Sequence, residues 1–487
     1  MTTIARTPAS GTLRFPGSDF LRRHAGSLIP ISAGLFFGLA AIPASEMDLR
    51  WIVWILACLA VGATALSVRN KERMLWSVFV LSFQADMSVR FLHGQGGSGG
   101  LALSLTGLTG LALVAWHWLN PDARAARRIV FAGRLQAPIV ALFVTSVLSL
   151  LTAGERFVGL GRLFVEVQFY FAYLLALNLI RNEERLAFTG KLLLGALGIQ
   201  ACIYFLQSGM RETFTLTGEV IAETGTLPRP GGTVSTNPAG FASFIVPILM
   251  LATTSFIGKT RTQLTRLAWI PGVLGVIALG LTFTRAAWVG AVIGFTVIAV
   301  IAHRRRELDP GKAAALTFAF VMIGIALFPL VAVRLADSVS DSYQERAGLM
   351  RMARSIIAQN PLLGIGAGAY EYTYKGYLSP GLTNQWLATV HNEYLLRAAE
   401  TGIPGGIAWV LLLVLGLRQA FRLTRLPPGI ARTFAIAWTA GLAALCWEMY
   451  WDSWRGFTYN AFLWFMLGLM ESIEMYQAPP RTVPASG

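Results

Sequence analysis

The chain has 487 residues, of which 55% are hydrophobic and 13% charged, and its mean hydropathy is +0.57. Soluble globular chains carry about 25% charged residues; here the deficit runs along almost the whole length, which excludes a soluble protein with one greasy segment. A net charge of +15 would suggest nucleic acid in a soluble protein, but its distribution argues for membrane topology and against a nucleic-acid partner.

A membrane-crossing helix needs roughly 20 mainly apolar residues. In chain order, spans are predicted at 27–44, 51–67, 74–90, 100–119, 135–152, 160–180, 185–206, 236–257, 266–283, 286–302, 313–333, 403–419, 433–450 and 457–474. The third is the most polar, with Gln84, Asp86 and Ser88. The runs are apolar on all sides and long, which indicates helices and not the alternating ten-residue segments of an outer-membrane barrel. The reading is an all-α integral membrane protein of about 14 transmembrane helices. The first run follows a tail rich in Ser, Thr, Pro and Gly and is read as a retained span.

The basic clusters are Arg22–Arg23, Arg69–Lys71–Arg73, Arg124–Arg127–Arg128–Arg134, Arg181–Arg185, Lys259–Arg261–Arg266, Arg304–Arg305–Arg306–Lys312 and Arg418–Arg422–Arg425–Arg432. They fall in every second loop, as the positive-inside rule requires. This places the chain in the inner membrane with both termini cytoplasmic: a tail at 1–26, a membrane domain at 27–474 and a tail at 475–487. Two longer segments then lie outside, 207–235 and 334–402. The second should hold a helix at 341–358, a break at Pro361, flexible glycine turns at 364–368, and a helix opening near His391 that stops at Gly402 and Pro404. No internal repeat is visible.

Several motifs fail. Gly258-Lys259-Thr260 lacks the glycine that a phosphate-binding loop needs five residues earlier, where Thr253 stands. Gly364-Ile365-Gly366-Ala367-Gly368-Ala369 fits GxGxxA loosely, with no strand before it. There is no DxD pair, no zinc-type spacing, and Cys58, Cys202 and Cys446 all lie in spans. No metal and no cofactor are expected.

A few polar residues stand where they are costly. Arg285, in Thr282-Phe283-Thr284-Arg285-Ala286-Ala287-Trp288, sits at the outer end of the ninth and tenth spans, against the positive-inside bias. Arg229 lies between Pro228 and Pro230, which stiffen the backbone around it. Arg346, Arg351 and Arg354 lie on the helix at 341–358, the last two sharing a face, with Leu349, Met352 and Ile356 available to cover a membrane-facing side. His391 opens His391-Asn392-Glu393-Tyr394-Leu395 beside the long outer loop, and an imidazole can take a proton from a hydroxyl near neutral pH. Glu393 and Arg397, four apart, suit a pair on the helix surface. Arginines grip phosphate oxygens bidentately, so the set suits a lipid diphosphate held at the membrane surface.

These stretches resemble the O-antigen ligase and polysaccharide polymerase superfamily of bacterial envelope enzymes. The resemblance is carried by Arg229-Pro-Gly-Gly-Thr followed by Asn237-Pro-Ala-Gly-Phe241, by Thr284-Arg285-Ala286-Ala287-Trp288, by Asn360-Pro361-Leu362-Leu363-Gly364-Ile-Gly366, and by His391-Asn-Glu-Tyr-Leu-Leu with Ala399-Glu400-Thr401-Gly402-Ile-Pro404-Gly405. It covers roughly 180–470. It implies a GT-C-like, metal-independent glycosyltransferase that joins an undecaprenyl-diphosphate-linked glycan to an acceptor glycan outside the cytoplasmic membrane, in exopolysaccharide or lipopolysaccharide biosynthesis. By this resemblance His391 acts on the acceptor, while Arg229 and Arg285 hold the donor diphosphate; Arg346 and Arg351, on the helix at 341–358, are further candidates for it. Asn392, Glu393 and Glu400 are candidate supporting residues. The family commonly has about twelve spans, and the longer chain favours a polymerase; a ligase acting on a lipid A-core, or a glycolipid transporter or flippase, are the alternatives. A flippase and a chain-length regulator are the protein partners this implies.

Overall fold

The structure is a computed structural model that describes residues 70–93, 100–119, 130–131, 133–214, 220–222, 228–307, 309–316, scattered positions from 318 to 332, and residues 339–377 and 389–477. The predicted spans at 27–44 and 51–67 lie outside these residues, as does most of that at 313–333.

Apolar runs in hydrocarbon must pair every backbone N–H and C=O within the segment, so they become helices. The described helices are α1 (Lys71–Ser82), α2 (Leu105–Leu119), α3 (Gln136–Leu148), α4 (Arg156–Leu179), α5 (Glu183–Met210), α6 (Pro238–Ile257), α7 (Trp269–Leu281), α8 (Arg285–Arg304), α9 (Val339–Gln359), α10 (Glu393–Leu423), α11 (Ile430–Trp451) and α12 (Phe457–Gln477). Among the described residues six of them, α4, α5, α6, α8, α10 and α11, are long and apolar enough to cross a membrane. The chain is a multi-pass membrane protein.

Two antiparallel hairpins interrupt the helices: Ser88–His93 pairs with Gly100–Ser104, and Glu212–Phe214 pairs with Val220–Ala222. The first corrects the third and fourth predicted spans. The helix ends at Ser82, and the polar residues after it are tied locally: the Gln84 carbonyl accepts from Thr233 Oγ1 at 2.7 Å, and Asp86 N donates to the Thr233 carbonyl at 2.9 Å. Polar side chains and backbone that find partners in a folded loop have no reason to continue an apolar helix.

The described residues divide into two compact units. The smaller includes residues 70–76 and 112–119, where His117 Nε2 lies 3.6 Å from Glu72 Oε1. The larger contains Ser77–Leu111 and the chain from Arg128 onward, and with it every candidate site residue. In that unit α6 is the central element. It is capped by Asn237, whose side chain accepts from Gly240 N at 2.9 Å, starts with Pro238 at its first turn, and is almost wholly buried. Helix α11 packs against both α6 and α8, α4 runs along α12, and α10 packs on α3 and α11.

One end of this unit gathers the starts of α8, α10 and α12 with the ends of α5, α7 and α11. Tyr204 Oη donates to the Leu281 carbonyl at 2.7 Å, Asn392 Nδ2 to the Tyr450 carbonyl at 3.0 Å, and Thr458 Oγ1 to the Val234 carbonyl at 2.8 Å. At the opposite helix ends stand basic clusters with partners of their own, such as Arg432 with Glu307 at 3.1 Å and Arg422 with Glu474 at 3.2 Å.

The segment 360–405 is built around a deliberate break. Gly402 has φ 75° and ψ 172°, which divides α10 into two helices, and Pro404 opens the second, where a missing N–H costs nothing. The break frees the last carbonyls of the first half, and residues 361–366 come back to use them. Ile365 N donates to the Ala399 carbonyl and Gly366 N to the Glu400 carbonyl, both at 3.0 Å, while Ile403 N reaches the Pro361 carbonyl at 2.8 Å. The glycine turns expected to be flexible are therefore fastened, with Gly364, Gly366 and Gly368 all at positive φ. A side chain at 402 would be strained by φ and would collide with the Leu362 carbonyl. Gly402→Ala is expected to cost about 1–3 kcal/mol, visible as a lowered thermal unfolding midpoint of the detergent-solubilised protein.

Helix α9 covers this unit. Leu349, Met352 and Ile356, expected to face lipid, instead pack with Ile365, Tyr370, Val390, Leu396 and Ala399 in a buried cluster. The apolar stripe of an amphipathic helix finds protein here, and its polar face, with Arg351 and Arg354, is exposed.

Candidate functional site

Asn392 starts α10 as its cap: its Oδ1 accepts from Leu395 N at 2.9 Å while its Nδ2 holds the end of α11. That double tether fixes the residue before it. The His391 side chain, 40% exposed, points Nδ1 at Asp452 Oδ1 across 3.0 Å, at the end of α11. Asp452 is itself fixed, its Oδ1 accepting from Ser453 N at 2.8 Å. An acceptor-only carboxylate on one ring nitrogen favours N–H there and leaves the other nitrogen, Nε2, with a free lone pair. The pair is therefore arranged as a base and its orienter.

Arg346 lies within electrostatic reach of Asp452, and Arg285 within reach of Arg346. Burial pushes the Arg346 guanidinium's pKa down, the nearby Asp452 carboxylate opposes that, and the Arg285 charge adds to it. Two neighbouring cations mark a place where an anion is favoured. Arg285 is exposed at the first turn of α8, where the free backbone N–H groups add to the attraction for negative charge. Its position is set by a tight turn: Phe283 has φ 50°, and Trp288 Nε1 donates to the Leu279 carbonyl at 3.0 Å.

Arg229 braces the same turn. Its Nε donates to the Thr282 carbonyl at 3.0 Å and its Nη2 to the Phe283 carbonyl at 3.5 Å, next to the residue pair that leads into Arg285. Arg351 is not brought to the dyad by any contact among the described residues. It lies five positions beyond Arg346, about 140° around the helix, on the exposed face.

Glu393 and Arg397, expected on a helix surface, are buried at the centre of a second polar cluster. Arg397 Nε donates to Glu393 Oε1 at 2.7 Å, its Nη1 to Glu166 on α4, and its guanidinium lies 4.7 Å above the Trp409 ring. Glu393 Oε2 accepts from Trp454 N at 2.8 Å. Glu400 pairs with Arg455 at 2.9 Å, and Arg455 also meets Glu371 at 3.1 Å. The reason for the expectation failing is geometric: the break at Gly402 sets the first half of α10 inside the protein, so its i,i+4 pair is enclosed. The sequence reading missed Asp452, Arg455, Glu166 and Arg162. Asp452 and Arg455 share the five-residue link between α11 and α12, and a charged pair in so short a loop at the helix ends expected outside was the available signal.

Among the described residues no group of three His, Cys, Asp or Glu side chains could hold a metal ion. No curated protein matches the chain. Residues 270–410 match the family model described as O-Antigen ligase, a stretch that includes Arg285, Arg346 and His391. Over that stretch the chain is similar to the O-antigen ligase family, which supports the resemblance to the O-antigen ligase and polysaccharide polymerase superfamily.

Proposed function

We propose that the protein is a glycosyltransferase that moves a glycan from an undecaprenyl-diphosphate donor to a hydroxyl of an acceptor glycan, on the extracytoplasmic face of the inner membrane. The observation that carries this reading is the His391–Asp452 pair at 3.0 Å, with Arg346 in the field of Asp452 and Arg285 in turn near Arg346. In the reaction the acceptor O–H gives its proton to His391 Nε2 as its oxygen bonds to the donor's anomeric carbon. The bond from that carbon to the diphosphate oxygen breaks, and undecaprenyl diphosphate leaves with the electron pair. Arg285 and Arg346 offset the charge that builds on the leaving group, a duty a divalent ion performs in many transferases. Arg229 supports that by holding the turn before Arg285.

Polymerase activity is favoured over ligation by the longer chain, whose about 14 expected spans exceed the roughly twelve common in the family. The product distinguishes them, a ladder of repeats in one case and a single addition in the other. A glycan flippase and a chain-length regulator are the partners this reading calls for.

The test is transfer by the purified protein in lipid nanodiscs from a lipid-diphosphate glycan, run in excess EDTA. Wild-type protein is expected to be active. Arg285→Lys keeps the charge and loses the planar fork, and should lose about tenfold or more in rate, with Arg285→Ala at least as severe, each costing one or more charged hydrogen bonds of about 1.5–3 kcal/mol. Product at the wild-type rate from Arg285→Ala would remove the arginine from the donor site. Activity that vanished with EDTA and returned with magnesium would replace the arginine account with a metal one.

A further inference from the structure

Beside the dyad, the second polar cluster lines a cavity of about 280 Å³ whose walls include Arg162, Glu371, Tyr372, Glu400, Arg455 and Phe457. We propose that this cavity is a sugar-binding subsite, which takes one neutral pyranose ring of the acceptor glycan and presents the chain's hydroxyl to His391. The proposal deepens the transferase reading and rests on it for the word acceptor; the cavity's ligand class rests on the cavity alone.

The charge pattern decides the ligand class. Every guanidinium here already faces a carboxylate: Arg162 lies 3.5 Å from Glu166, Arg397 meets Glu166 and Glu393, and Arg455 meets Glu400 and Glu371. Three arginines against four glutamates leave no positive charge for a phosphate, in contrast to the Arg285 and Arg346 side of the dyad. What remains is hydrogen-bonding capacity. Each guanidinium has five N–H donors and each carboxylate about four acceptor positions, more than the ion pairs use. Arg455 Nε is buried without a hydrogen-bond partner, and Arg162 Nε has only its 3.5 Å approach to Glu166. A sugar hydroxyl donates and accepts at once and answers both kinds of group. The aromatic rings of Tyr372 and Phe457 supply flat apolar surface for the C–H face of a ring.

Size and place agree. Small-molecule sites run from about 300 Å³ upward, so this cavity takes a single ring and not a chain. Charged side chains in the body of a membrane protein are costly and are the first places to look for function, and Arg162 and Glu166 lie inside α4. The cavity's wall is joined to the dyad by the α11–α12 link, which carries Asp452 against His391 at one end and Arg455 against Glu400 near the other. Glu393, two residues past His391, grips the middle of that link at Trp454 N.

The test uses Tyr372→Ala and Glu371→Gln, both at exposed side chains of the rim; the first touches none of the ion pairs, and the second gives up Arg455–Glu371 while Arg455–Glu400 remains. In the nanodisc assay each variant should raise the acceptor KM about tenfold, the equivalent of one lost sugar contact. The kcat at saturating acceptor and the KM for the lipid-diphosphate donor should stay within about twofold. A second measurement is independent of transfer: His391→Ala protein is titrated calorimetrically with lipid-free glycan released by mild acid from the envelope of the producing cells. Binding should weaken about tenfold on adding Tyr372→Ala. An unchanged acceptor KM with unchanged glycan binding makes the cluster a structural brace and overturns the proposal, and a rise confined to the donor KM overturns the acceptor assignment. Were wild-type protein inactive in transfer, the transferase reading would fall, while Tyr372-dependent glycan binding would still uphold the sugar site.

Discussion

His391→Ala should cut glycan transfer by about 10²–10⁴-fold, the range that positioned general-base catalysis supplies, while the protein still inserts, folds and binds its lipid-diphosphate donor. A sugar hydroxyl is a poor nucleophile at neutral pH, and the imidazole is the group placed to take its proton. The folding part of the expectation follows from the contacts: the side chain is 40% exposed and its one described partner is Asp452, whereas the tether of this corner is Asn392, which caps α10 and holds the end of α11. His391→Gln separates two roles, because its amide can hold a hydroxyl in place but cannot accept the proton. Loss in both variants assigns base catalysis; a Gln variant within about tenfold of wild type assigns positioning. Wild-type rates in both, measured as initial rates with donor in excess, would remove His391 from the reaction.

The framework of this site is written in local signals. Asn237-Pro238 starts α6, the Gly402–Pro404 pair breaks α10, and the apolar runs from 156 onward give helices close to their expected ends. Those signals are short-range, and one chain carries them. His391 and Arg285 also stand out alone, since a cation or an imidazole at a span end expected outside runs against the positive-inside bias. Partnership is another matter. Asp452 lies 61 positions from His391, and Arg397 lies 231 from Glu166; neither pair has a spacing that a sequence can display. The same limit explains Arg351. Helix periodicity put it on the same face as Arg354, and both are indeed exposed, but periodicity cannot say that Arg346, on another face, is the one turned towards Asp452. The buried ion cluster was hidden for a related reason: Glu393 and Arg397 look like any surface pair until the break at Gly402 puts their half of the helix inside. The hairpin at 88–104 was read as spans because its apolar residues satisfy a hydropathy window, which is blind to where the polar backbone finds its partners.

Asp452→Asn should be nearly as damaging as loss of the histidine, by about 10²–10⁴-fold, although it exchanges a single heavy atom. The carboxylate can only accept, so across 3.0 Å it requires N–H on His391 Nδ1 and keeps the lone pair on Nε2. An asparagine can turn its NH₂ towards Nδ1. The imidazole then carries its proton on Nε2, where it faces the acceptor hydroxyl as a donor and cannot be a base. The asparagine also removes the negative charge that stabilises the imidazolium formed when the proton arrives. Asp452 has a second neighbour, however, since its charge also acts on Arg346. A loss of rate alone could therefore come from a displaced arginine. The double variant Asp452→Asn with His391→Ala decides between the two. Groups that act as a unit are not additive, so the double variant should be no slower than the worse single one. If instead the two losses multiplied, Asp452 would be working through Arg346 and the donor diphosphate. Paired with Arg346→Ala the expectation is the reverse: if Asp452 serves the histidine, its loss and that of the arginine should multiply, one falling on proton transfer and the other on the leaving group.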